Sequence, residues 1–150
     1  MGTSFTGFGG HGFWSKDDTI AVWLYLLAQR AKELENPPEW LVAAREDWHT
    51  SATLGVTGCV SAYLDRYLIS PERVALTLVV GERALAWLRE QGPLLSPELL
   101  NSFGAGGEGS YFTKDLPTDV FCRVGDAFVK LLRGEIAWDE STSPMVDFST

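Results

Sequence analysis

Basic residues are scarce in this chain. Twelve lysines and arginines stand against twenty aspartates and glutamates, leaving a net charge of −8. A nucleic-acid binder needs a basic stripe to displace condensed counterions, so nucleic acid is excluded as the partner. The same charge would steer a basic partner toward the chain, or simply keep it in solution. Cysteine and histidine are scarcer still, with two of each. Two cysteines, Cys59 and Cys122, cannot build a disulfide scaffold. Both sit in apolar helical patterns, which predicts buried free thiols. No apolar run approaches the roughly 20 residues of a membrane span. No basic start precedes an apolar stretch, as it would in a secretory leader. Met1-Gly2-Thr3-Ser4-Phe5-Thr6 fits the loose N-myristoylation pattern, but no polybasic second signal accompanies it. The expectation is a cytoplasmic protein without a membrane partner.

Apolar and aromatic residues are abundant. The chain is 45% hydrophobic, with six tryptophans and eight phenylalanines in 150 residues. That excludes a disordered chain and is enough for one packed domain. Residues 13–34, FWSKDDTIAVWLYLLAQRAKEL, organise the rest. Residues 20–28 carry no charge, and a helix apolar on all sides must be covered on most of them. The pattern predicts a central helix over 16–34, with Ser15 as N-cap and Asp17 and Asp18 at its positive end. Phe13 and Trp14 are read as a hydrophobic staple before it.

The remaining elements follow from caps and periodicity. Residues 1–14 alternate glycine with aromatics and read as a loop lying on the body of the domain. Helices are predicted over 38–49, with Trp40, Leu41, Ala44 and Trp48 at helical spacing, and over 51–67, carrying Val56, Cys59, Val60 and Leu64. Gly55 and Gly58 weaken the latter and leave open a start near Thr57. Ser70-Pro71-Glu72 opens a helix to Gln91, with Val74, Leu78, Val79, Ala84, Leu85, Trp87 and Leu88 as its buried face, and Gly92-Pro93 stops it. Ser96-Pro97-Glu98 opens a short helix ending near Phe103. Residues 104–116 form a long loop. A sixth helix runs from Pro117-Thr118-Asp119 to Arg133, with Gly134 after it. Residues 135–150 have four acids and no base and read as a loosely held tail on which Ile136, Trp138, Met145, Val146 and Phe148 offer docking points. The fold class is all-α: an irregular single-domain bundle of five to six helices, with a Gly/aromatic N-terminal loop and an acidic C-terminal tail.

No motif carries chemistry. Gly104-Ala105-Gly106-Gly107-Glu108-Gly109 satisfies G-x-G-x-x-G as a string, but it follows a helix rather than a strand, and Glu108 would repel phosphate. Glu46-x-x-His49 has the spacing of a di-iron ligand pair, but such sites need the pair twice, and His11 has no partner glutamate. No Gly-x-Ser-x-Gly is present. No catalytic residue, metal or cofactor is therefore expected. The acidic doublets Asp17-Asp18, Glu46-Asp47 and Asp139-Glu140 lie near Trp14, Trp40, Trp48 and Trp138. Aromatic anchors with acidic surrounds are the ingredients of a contact surface. The candidate partner-binding residues are Trp14, Asp17, Trp40, Asp47, Trp48, Tyr111 and Trp138.

Gly12-Phe13-Trp14-x-x-Asp17, the run Val22-Trp23-Leu24-Tyr25-Leu26-Leu27, Gly58-Cys59-Val60, Tyr63-Leu64-Asp65 and the stretch 128–134 (FVKLLRG) resemble a family of small bacterial proteins. That family belongs to polymorphic-toxin and contact-dependent-inhibition loci, where its members serve as immunity proteins. The resemblance implies tight, non-catalytic binding of a cognate, basic toxin. The alternatives are an oligomeric adaptor, such as a homodimer joined through apolar helix faces, and a ligand- or metal-binding helical enzyme using Glu46, His49 and a cysteine.

Overall fold

The computed structural model describes residues 2–54, 57–106 and 111–147. The chain opens not with a loop but with a β-hairpin, β1 (Thr3–Phe8) and β2 (His11–Lys16), paired antiparallel with Phe8 opposite His11. The two-residue turn needs positive φ at both central positions, and Gly9 (φ 61°) and Gly10 (φ 84°) supply it without steric cost. Ser4, Thr6, Phe13 and Ser15 are buried on the inner face. Phe5 and Trp14 pair across the outer face, with ring centroids 5.4 Å apart. The glycines that disfavour a helix are those that build the turn.

β2 runs straight into α1 (Asp17–Lys32). Ser15 is therefore a buried strand residue and not the helix cap; Lys16 stands at the N-cap without a side-chain cap bond. Asp17 has a different task. Its carboxylate accepts from the Ser4 hydroxyl and, at 2.9 Å, from the backbone N–H of Gly58. Ser4 Oγ in turn accepts from the N–H of Val60 at 3.1 Å. One carboxylate thus ties together β1, the entry of α1 and the segment after α2.

Residues 19–24 of α1 are buried without interruption, so no face of that turn and a half meets water. α2 (Glu39–Leu54) extends beyond the predicted 38–49. The helix predicted over 51–67 is corrected: α2 takes its first residues, 57–63 are irregular, and only α3 (Leu64–Tyr67) is helical. Gly58 and Tyr63 have positive φ, and the N–H groups of Gly58 and Val60 bond to Asp17 and Ser4 rather than to a preceding turn. Val56 lies outside the described residues.

α4 (Pro71–Glu90) has the expected start, with Ser70 Oγ accepting from the N–H of Arg73 at 3.4 Å and Pro71 at N1. Its buried face keeps Ala84, Leu85 and Leu88 of the one predicted, with Val74, Leu78 and Trp87 packed half-buried against the core, and adds Thr77, Val80 and Gly81. Val79 is instead exposed. α5 (Pro97–Ser102) is capped by Ser96. It lies between β3 (Leu94–Leu95) and β4 (Leu116–Pro117), which pair antiparallel. The end of the predicted 104–116 loop is thus a strand, and residues 107–110 lie outside the description. α6 (Thr118–Leu132) ends at Gly134, φ 73°. With two small sheets beside its helices, the chain is helix-rich but not all-α. No helix among the described residues is long and apolar enough to cross a membrane.

The C-terminal segment is not loose. It lies along the outer edge of β2, where Gly12 N–H donates to Trp138 O at 2.9 Å and Val146 N–H donates to Trp14 O at 3.0 Å. Trp14 N–H donates to Ser143 Oγ, and Lys16 N–H to an oxygen of the buried Asp147. Strand edges demand such partners, and β2 finds them in the tail. Phe148 lies outside the described residues.

Trp23 of α1 packs on Phe128 of α6 at 5.5 Å. Gly125 makes room for it: a Cβ there would stand 2.7 Å from Trp23 Cζ3 and 2.5 Å from Leu85 Cδ2. A Cβ on Gly81 would meet Val129 at an ordinary 3.5 Å. Gly81→Ala is therefore expected to stabilise by about 0.5–1 kcal/mol through helix propensity. Gly125→Ala should lose about 1 kcal/mol net, because overpacking of about 1–3 kcal/mol outweighs the same propensity gain. Urea midpoints moving in the same direction for both would contradict this packing. Asp17→Ala leaves two donors without their acceptor and should cost about 2 kcal/mol in the same measurement.

Candidate functional site

The outer face of the hairpin forms the floor of a cleft of 460 Å³. Gly7 and Gly10 give it a floor without side chains, Phe5 forms a wall, and Phe8 and His11 stand at the tip. The rims are acidic. Asp65 of α3 flanks the β1 side, while Asp139 and Glu140 of the docked tail flank the other. Three segments far apart in the chain bring these carboxylates together, with His11 as the one titratable base among the lining residues.

Each rim is held locally. Asp65 Oδ1 accepts from the backbone N–H of Gly9 at 2.9 Å, which fixes α3 to the hairpin turn. Asp139 Oδ1 accepts from the N–H and hydroxyl groups of Ser141 and Thr142. The Ser141 donors, above all its hydroxyl, hold the Asp139 carboxyl below its usual range, so its negative charge is secure. The indole N–H of Trp14 donates to Glu140 O at 2.8 Å and positions that rim. This cleft can receive a positively charged group close to a backbone surface. No group of three or more His, Cys, Asp and Glu side chains is placed to hold a metal ion among the described residues.

The seven expected contact residues do not share a face. Trp48 is fully buried, its indole N–H bonded to Ala62 O at 2.8 Å, and it is corrected from contact surface to core. Trp14 is half-buried between Phe5 and the tail, and Asp17 belongs to the junction described above. Trp40 lies under the guanidinium of Arg73 at 5.2 Å. Asp47 accepts from the hydroxyl of Tyr67 and faces Arg66 at 3.7 Å, and that hydrogen bond raises the Tyr67 pKa. Tyr111 is 76% exposed and Trp138 37% exposed, but Tyr111 lies by Lys16 and Phe112 while Trp138 lies over α6. Sequence reasoning missed Phe5, Gly7, Gly10, His11 and Asp65. The available signal was Gly9-Gly10 between two short alternating runs, a hairpin pattern.

Other expectations are settled by position. Cys59 is exposed in the irregular segment, contrary to the buried thiol expected. Cys122 is half-buried on α6, and burial pushes its thiol pKa up. His49 packs against Tyr25 at 5.8 Å. Gly104 and Gly106 are turn residues with positive φ, and Gly106 N–H bonds to Ala52 O at 2.6 Å. Comparison with protein-family models, curated proteins and solved structures finds no match to this chain.

Asp18, in the first turn of α1, is half-buried, and burial followed by the neighbouring Asp17 charge raises its pKa above the ordinary 3.8. The folded state then holds this proton more tightly than the unfolded chain. Its favourable contribution is complete below pH 3.8 and is lost as pH rises through the folded value. Asp18→Asn is expected to melt above the parent at about pH 7, with the gap closing near pH 3. A gap that stays constant between those two pH values would show that the charge is not its origin.

Proposed function

We propose that this protein is a non-catalytic, immunity-like protein that acts in the cytoplasm and neutralises a cognate bacterial toxin by direct contact. The acid-rimmed hairpin cleft is its contact surface for a basic region of that toxin. The observation that carries this reading is the convergence of Asp65, Asp139 and Glu140 over a glycine floor. The net charge of −8 supports it, because long-range attraction raises the rate of productive encounter. Rim carboxylates of this kind contribute more to association rate and partner choice than to residence time.

The test is co-expression with the product of the neighbouring reading frame, which this reading expects to be a toxin. Restored growth and a co-purifying complex are expected. Glu140→Lys, which alters an exposed side chain, should slow association roughly tenfold at low salt and leave dissociation nearly unchanged. Absence of both rescue and complex would remove the reading.

A second reading, an oligomeric adaptor, is favoured by a groove of 710 Å³ between α6 and the tail, lined in part by Ala127, Ile136, Trp138, Met145 and Val146. A monomer at every concentration in sedimentation equilibrium would exclude it.

A further inference from the structure

The two edges of the hairpin are not equivalent. In an antiparallel pair, alternate residues of each strand point their N–H and C=O groups away from the partner strand. On β2 these are Gly12, Trp14 and Lys16, whose outward N–H groups all donate to the docked tail. The register places Gly7 opposite Gly12, Phe5 opposite Trp14 and Thr3 opposite Lys16. The outward groups of β1 therefore belong to Thr3, Phe5 and Gly7. Among the described residues, none of the three has a hydrogen-bond partner on that side. Thr3 lies against Gly58, at the closed end. Beside Phe5 and Gly7 a groove of 230 Å³ separates the strand from α3 and the residues before it, with Ser61, Tyr63 and Asp65 on its far wall.

An open strand edge is a template for pairing, and natural sheets normally cover or charge it. Here Asp65 flanks it, and the one cation on the groove wall, Arg66, lies over the Tyr63 ring at 4.8 Å and faces Asp47 at 3.7 Å. The groove shares Phe5, Gly7 and Asp65 with the acidic cleft, so side chains of an added strand that project over the outer face would lie beside Asp65 and face the Asp139 and Glu140 carboxylates across the width of the hairpin. A second copy of this chain would set those carboxylates against its own, which disfavours self-pairing. A strand with alternating basic side chains satisfies both requirements. Its backbone fills the empty bonds of Phe5 and Gly7, and its cations meet the rim.

We infer that the free edge of β1 is a docking site for an extended, basic segment of the partner protein, which joins the hairpin as an added strand. This rests on the proposed contact function and names how the contact is made. The tail already uses the equivalent bonds on β2, so the hairpin would become the centre of a sheet with partners on both sides.

The test uses the full chain and a capped heptapeptide alternating lysine and valine. Its controls are the same peptide with glutamate for lysine and a fully N-methylated analogue that keeps the charges but whose N-methyl groups bar its backbone from approaching the strand edge. The lysine peptide is expected to slow amide exchange at Phe5 and Gly7 roughly tenfold, and to bind roughly tenfold more tightly than the glutamate peptide. The methylated analogue should leave both amides unchanged. No slowing at Phe5 and Gly7 overturns the inference. Equal binding of the glutamate peptide, or equal slowing by the methylated one, overturns it as well. A toxin complex in which Phe5 and Gly7 exchange as in the free chain overturns edge pairing while leaving the immunity reading intact. Edge pairing by the lysine peptide without any toxin complex or rescue supports the docking edge and removes the toxin as its partner.

Discussion

A helix that is apolar around its whole circumference has to be covered on every side, and α1 imposes that requirement on the rest of the chain. Ten of its sixteen residues are buried. α2, α4 and α6 pack along its length, and the hairpin closes its entry with Phe13. Trp23 shows which effect dominates. Its indole N–H has no hydrogen-bond partner among the described residues, a cost of about 1–3 kcal/mol. Burying about 200 Å² of ring at about 25 cal/mol/Å² contributes about 5 kcal/mol, so packing prevails. The notch at Gly125 is the local consequence, since α6 can approach Trp23 only where it lacks a Cβ.

Covering the entry of α1 with a two-stranded hairpin creates a second demand. An isolated hairpin is at best marginally stable and has two edges of unpaired backbone groups. The chain meets part of that demand with polar bonds from distant segments. Asp17 and Ser4 hold the 57–60 segment, Asp65 holds the turn, and the C-terminal segment lines the edge of β2. Each of these bonds also brings an acidic residue or a rim of the cleft into place. The acid-lined surface is thus a by-product of the way the hairpin is secured, and the edge of β1 is the part left open.

Local signals in the sequence located the long helices well. Ser70-Pro71 and Ser96-Pro97 mark starts because cap and N1 chemistry acts over four residues, and Gly134 marks an end for the same reason. The hairpin was legible in Gly9-Gly10 but was masked by glycine elsewhere in residues 1–14, which reads as loop. The 51–67 helix misled because Val60 and Leu64 are both buried at helical spacing, yet the bonds that decide their backbone come from Asp17 and Ser4. The tail misled for a related reason: its composition is that of a solvated segment, but backbone bonds to β2, not apolar side chains alone, hold it. The candidate site was the least legible part, because Asp65, Glu140 and the hairpin are neighbours only after folding. Trp48 carries the same lesson in reverse, since an amphipathic pattern cannot say that Ala62 O will accept its indole N–H in the core.

Residue-resolved amide hydrogen exchange on the free chain tests the asymmetry of the hairpin directly. Slow exchange is expected at Gly12, Trp14 and Lys16, whose N–H groups bond to the tail, and fast exchange at Phe5 and Gly7 in the paired strand. Equal protection on the two edges, or fast exchange along both, would contradict it.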